Sequence, residues 1–211
     1  LSLLHYAVYT GVCEALSFAQ EMQQVLAEPD LPQRKLFLLR RSWKALYSSF
    51  YGSFNALANI VCVVVGVKSP FGERPSLIWN YTPAQAIKLV SGRGLGKLAE
   101  PMERCKQRLE IRDQLDHYWL IWHSITSAGF MIDKDFVKGR VPLQPSVEAI
   151  PSVDALQLAQ KHIEGCSQDY DLVYHELSVS GGFLDQFFAA KGWKVIYADY
   201  GPPHNGKRPQ P

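Results

Sequence analysis

Apolar residues recur at helical spacing through most of the chain. Between positions 2 and 27, Leu3, Leu4, Ala7, Val8, Cys13, Leu16 and Ala19 predict an amphipathic helix, with Gly11 as a place to bend. Glu28-Pro29-Asp30-Leu31-Pro32 is a turn carrying two prolines. A second helix is predicted from about Gln33 to Gly66 by Leu36, Leu39, Trp43, Leu46, Phe50 and Phe54, with a break near Gly52. Its last part, Ala56 to Val65, is apolar on every side, the pattern of a helix buried all round. After a loop over 68–75, Thr82 caps and Pro83 opens a short helix that runs to about Val90. Ser91-Gly92-Arg93-Gly94-Leu95-Gly96 reads as a flexible connection, and a long helix is predicted from Leu98 to about Phe130.

Residues 133–153 look like a loop, punctuated by Gly139, Pro142, Pro145 and Pro151. Ser152 is the expected cap of a helix from Val153 to Glu164, and Asp169 to Ala190 reads as helix, break at Ser180-Gly181-Gly182, helix. From Gly201 the chain is polar and Pro-rich, the composition of a disordered tail. The expected fold is therefore mainly α: one helical bundle over 1–200, closed by a short irregular C-terminal extension.

Composition narrows the classes of function. With 211 residues the chain can bury one sizeable core. A net charge of +2 gives no overall basic excess, although Arg and Lys gather in 97–112 as a local basic patch. Cys13, Cys62, Cys105 and Cys166 stand far apart, with no C-x-x-C pair, so neither a cysteine zinc site nor a disulfide framework is indicated. Buried thiols in a reducing cytoplasm are the simplest reading. The apolar run Phe54 to Val67 is short of the ~20 residues of a membrane span and contains Asn55 and Asn59, so no membrane is expected. The opening stretch lacks the charged region and cleavage site of a signal peptide, and the missing Met suggests that something before Leu1 was removed or left out.

The least bland stretch is Glu110 to Ser124, EIRDQLDHYWLIWHS, where polar chemistry enters an apolar helix. Arg112 and Asp116 are four apart, as are Asp113 and His117, so each pair shares a helix face. As surface pairs they stabilise by only ~0.2–0.5 kcal/mol each. Arg112 and His117 differ by five positions, about 140° around the helix, and would flank a groove. A histidine titrates near neutral pH and moves protons, and an arginine presents a cationic fork to phosphate. Together they suit transesterification of RNA, in which a 2′-hydroxyl loses its proton while charge builds on phosphate, with no metal or cofactor. Asp113 would orient His117 or set its tautomer.

FYGSFNALANIVCVVV, then a loop, then a long helix bearing Arg112-Asp113-Gln114-Leu115-Asp116-His117, resembles the HEPN superfamily over about residues 35–165. The family hallmark is Arg, four to six residues, then His, often with a polar residue directly after the Arg; here that residue is Asp113. The resemblance implies an all-α bundle that forms a homodimer. It further implies that two Arg112/His117 pairs meet as a metal-independent endoribonuclease site acting on RNA, as in many toxins and defence components. The alternative is a non-catalytic helical interaction module binding a cognate protein partner.

Other features weigh less. Ser91 to Gly96 lacks a preceding strand and the Walker lysine and hydroxyl, so it is not a phosphate loop. Val173 to Asp199 has a faint strand–glycine–helix–strand order like the first motif of DNA cytosine methyltransferases, but the chain ends too soon for a parallel sheet. His175-Glu176 has no second zincin histidine. His123 is read as a packing residue, Asn55 and Asn59 as interhelical hydrogen bonders, and the stripe Trp43, Tyr47, Phe50, Tyr51, Phe54 as core or dimer packing.

Overall fold

A computed structural model describes residues 1–29, 31–66, 81–117, 123–126, 129–133, 152–179 and 182–192. Among these the protein is a mainly α helical bundle with one small antiparallel sheet. Helix α1 spans Ser2–Ala27 and α2 spans Pro32–Val64. They form an antiparallel hairpin: Arg41 reaches Glu21 at 2.8 Å, and Lys35 donates to the Leu26 carbonyl at 3.2 Å.

The expected interruptions at Gly11 and Gly52 are not breaks. Both helices run straight through them. Gly11 instead lets the two helices touch: a Cβ there would lie 2.7 Å from the Ser49 carbonyl oxygen and 2.8 Å from Ser53 Cβ. Gly11→Ala is therefore expected to destabilise the fold by about 1–3 kcal/mol, although alanine is the better helix former by about 1 kcal/mol. Urea unfolding of the variant checks the sign.

The second helix carries the core. Trp43, Tyr47, Phe50, Phe54, Leu57 and Val61 are fully buried, and with Ala56, Ala58, Ile60 and Cys62 the helix is surrounded on all sides as far as Cys62; the expected burial to Val65 stops there, since Val63 is 41% exposed. Asn59 holds the chain that enters the next helix: its Nδ2 donates to the Tyr81 carbonyl at 3.0 Å, and its Oδ1 accepts from the Tyr81 N–H at 3.2 Å. The asparagine thus fixes register through backbone rather than through another helix's side chain. Helix α3, Pro83–Gly92, begins with a full capping box between Thr82 and Gln85. The glycine connection after it is a short turn, with the Leu95 N–H returning to the Val90 carbonyl at 3.2 Å.

Helix α4, Gly96–His117, ends well before Phe130. The next described elements are strand β1, His123–Thr126, and strand β2, Gly129–Asp133, paired so that Ile125 faces Phe130. Two features override the helical pattern. Gly129 sits at φ +125, where a side chain is strained, and Phe130 and Ile132 are buried while Met131 between them is not, the period of a strand. Phe130 meets the edge of the Trp43 ring, centroids 6.1 Å apart.

Strand β3, Ser152–Asp154, adds to β2 with Ile132 opposite Val153, so the expected loop becomes strand at both its ends. The next helix is capped by Asp154, whose Oδ1 accepts from the Leu156 N–H at 2.9 Å, not by Ser152. Helix α5, Ala155–Ser178, joins what the sequence divided into two helices, and α6, Phe183–Ala189, starts directly after Gly182. Since Val173 to Leu177 is helical, the strand–glycine–helix reading of that region fails. The 68–75 loop and the tail from Gly201 lie outside the described residues. No helix among the described residues is long and apolar enough to cross a membrane.

Candidate functional site

Arg104, Arg108 and Arg112 recur every four residues and form a ladder along one side of α4. The first two are committed to α5. Arg104 Nε donates to Asp169 Oδ1 at 2.9 Å, and Arg108 Nη1 donates to Oδ2, so both carboxylate oxygens are engaged. The Asp169 side chain is 4% exposed, against 44% for Arg104 and 28% for Arg108. The two arginines reach in from the rim towards one buried acid. Arg108 also lies across Gly165, where a Cβ would sit 2.7 Å from its Nε. Burial opposes the Arg108 charge, but the hydrogen bond and attraction from Asp169 outweigh it, and the guanidinium is held protonated.

Beside this knot, the Cys105 thiol is 3.9 Å from the Cys166 carbonyl and from Asp169 Oδ2. Its hydrogen bonding with Cys166, burial and the nearby carboxylate push it far up, so it is a thiol and no nucleophile. Cys62 is pushed up to about 11 by burial. Three of the four cysteines are buried as expected, and Cys13 is exposed. Within the basic patch of 97–112, Arg104 and Arg108 are thus taken up by Asp169, Lys106 pairs with Glu103 at 3.1 Å, and Lys97, 83% exposed, stands at the surface 3.8 Å from Glu176.

Arg112 has a different neighbour. It is half-buried, and its guanidinium carbon stands 4.7 Å above the centre of the Tyr51 ring on α2. Tyr51 is thereby separated in role from the rest of the aromatic stripe, which is core. Asp113, Asp116 and His117 follow on the last two turns of α4, whose final residue is His117. Their side chains, and that of His123 in β1, lie outside the described part of the structure.

Comparison with family models, curated proteins and solved structures finds no match to this chain.

Sequence reasoning missed two polar contacts, each with one fully buried partner, Asp169 and Tyr47. Asp169 stands among Ala159, Ile163, Cys166, Tyr170, Val173 and Leu177, all core residues of α5. An acid at a position set by that 3–4 spacing was the available signal. The second pair is Tyr47 with His162, Oη to Nδ1 2.9 Å. Burial, then the positive charges of Arg108 and Lys161, lower His162 from 6.5 to about 4, so it is neutral near pH 7.

An unfolded histidine gains its proton near pH 6.5, but His162 resists until about 4. Its contribution to stability is complete above 6.5 and is lost as pH falls through this window, by on the order of 3 kcal/mol. Unfolding free energies measured from pH 7 to 4 should show this slope, and His162→Gln should flatten it. Among the described residues no group of three His, Cys, Asp or Glu side chains is arranged to hold a metal ion.

Proposed function

We propose that the protein is a HEPN-like, metal-independent endoribonuclease in which Arg112 and His117 serve the chemistry, two copies contributing to one site. The supporting observation is the division of labour along α4. Arg104 and Arg108 are bound to Asp169, whereas Arg112 lies against Tyr51 at the end of the helix that carries His117. In this reading His117 removes the proton of a ribose 2′-hydroxyl, whose oxygen attacks the adjacent phosphorus. Arg112 balances the charge on the phosphoryl oxygens as the 5′-oxygen leaves and takes up a proton. Asp113 positions His117. Many proteins of the resembled superfamily are toxins or defence components, and that role is proposed here with the activity.

Expression in cells tests it. Wild type should arrest growth and fragment cellular RNA, while His117→Ala and Arg112→Ala, accumulating to the same level, should do neither. A second reading, a non-catalytic helical module that binds a cognate protein, is favoured by the outward face of α1, where Leu3, Tyr6, Tyr9 and Leu16 are exposed. It predicts equal growth for all three proteins.

A further inference from the structure

Helix α2 carries the cationic side chains Arg34, Lys35, Arg40, Arg41 and Lys44, and no acid in its 33 residues. Lys35 turns to the Leu26 carbonyl, whereas Arg34, Arg40, Arg41 and Lys44 are exposed. Arg34, Phe37, Arg41, Lys44, Ser48 and Tyr51 follow one another at spacings of three or four, which at about 100° per residue sets them in one stripe flanked by Arg40. The stripe lies opposite Leu39, Trp43, Leu46 and Phe50, which form the buried face of the helix. Phe37, 65% exposed, stands between Arg34 and Arg41. At the far end is Tyr51, the ring beneath the Arg112 guanidinium. The whole stripe is roughly 25 Å long at 1.5 Å per residue.

A row of cations on a helix without acids selects a polyanion. Arg41 touches Glu21 of α1 at 2.8 Å, yet 59% of its side chain stays exposed, and a surface pair of that kind is weak and exchanges for phosphate. The exposed phenylalanine decides which polyanion fits. An unpaired base stacks on such a ring, and aromatic rings set among cations hold single strands without reading their sequence. A duplex keeps its bases stacked inside, and A-form RNA closes its major groove to a helix. An anionic membrane takes up a helix that lays a whole apolar face into lipid. On α2 that face is the protein core, and Phe37 is the exposed large apolar side chain of the outer stripe.

We propose that the outer face of α2 binds single-stranded nucleic acid, with Arg34, Arg40, Arg41 and Lys44 on its phosphates and Phe37 under one base. The strand then runs along α2 towards Tyr51 and Arg112, so the same face delivers RNA to the α4 site. The binding face stands without the ribonuclease reading; only its continuation to Arg112 rests on that reading.

Fluorescence anisotropy of the whole chain with a labelled 2′-O-methyl RNA of about twelve nucleotides tests it. That probe has no free 2′-hydroxyl, so binding is read apart from cleavage. Wild type should bind with a Kd of about 1–100 µM at low salt, and four phosphate contacts predict a loss of about 50-fold between about 50 and 200 mM salt. Arg34→Gln/Lys44→Gln should reduce that loss to about sevenfold. Phe37→Ala should weaken binding about fivefold or more and leave the salt dependence unchanged. Both variants change exposed positions and should keep the wild-type unfolding midpoint, and Lys97→Gln, which removes a surface cation of α4, should bind as wild type does. No binding at low salt, equal binding by all the variants, or tighter binding to duplex RNA or to phosphatidylserine vesicles than to the single strand would each overturn the proposal. A chain that binds the probe through α2 yet cleaves no RNA supports this face and contradicts the ribonuclease reading alone.

Discussion

Phe50→Ala should lower the free energy of unfolding by about 3–5 kcal/mol. The ring is 1% exposed and lies parallel to Tyr170 of α5, centroids 5.7 Å apart and planes 8° from parallel. Tyr170 in turn shares a hydrogen bond with Ser53 at 2.9 Å, and Ser53 donates to the Phe50 carbonyl at 2.7 Å. Truncation therefore opens a cavity where α2 meets α5 and loosens the partner of a buried hydroxyl. Small domains are stable by only about 5–15 kcal/mol, so about a fifth of the total or more would go. Thermal unfolding should fall by roughly 6–20 °C at about 2–4 °C per kcal/mol. Phe37→Ala is the control, since that ring is 65% exposed and its loss should cost at most about 0.5 kcal/mol.

Asp169→Ala should cost about 2–4 kcal/mol. Removing one partner of a buried ion pair leaves the other charge with its desolvation uncompensated. Here the geometry moderates the loss. Arg104, with a side chain 44% exposed, can turn to water. Arg108, 28% exposed and pressed on Gly165, cannot turn as freely and accounts for most of the effect. Arg104→Ala should accordingly cost less, about 1 kcal/mol. Urea titrations of the two variants distinguish them, with midpoints shifting and slopes unchanged.

The helices were legible where apolar residues recur without interruption. Ser2–Ala27 and Pro32–Val64 follow the stripes read from sequence to within about two residues, because a helix that buries one face throughout leaves a continuous period. The sheet was not legible. β1, β2 and β3 have four, five and three residues, too few to show a period against the apolar run Tyr118 to Trp122 that precedes them. What makes them strands is the backbone at Gly129 and pairing with Val153, a partner twenty-one positions from Ile132.

Part of the candidate site was legible in the same way. Arg112 and His117 are visible as a spacing, and their common helix was expected. The contact of Arg112 with Tyr51 was not, because it joins residues 61 positions apart on different helices. The roles of Arg104 and Arg108 were hidden for the same reason: their partner Asp169 is 65 and 61 positions away. Of the basic run that looked available for nucleic acid, Arg104 and Arg108 are spent on the buried Asp169, and Arg112 is set apart from those two by the Tyr51 ring it faces.

The decisive measurement is RNA cleavage by the purified chain in EDTA, with the new ends identified. The proposed chemistry predicts fragments ending in 2′,3′-cyclic phosphate, and a rate lower by about 10²-fold or more for His117→Ala with its unfolding midpoint unchanged. Wild type that leaves structured and single-stranded RNA intact, or His117→Ala that cleaves as fast as wild type, would contradict it.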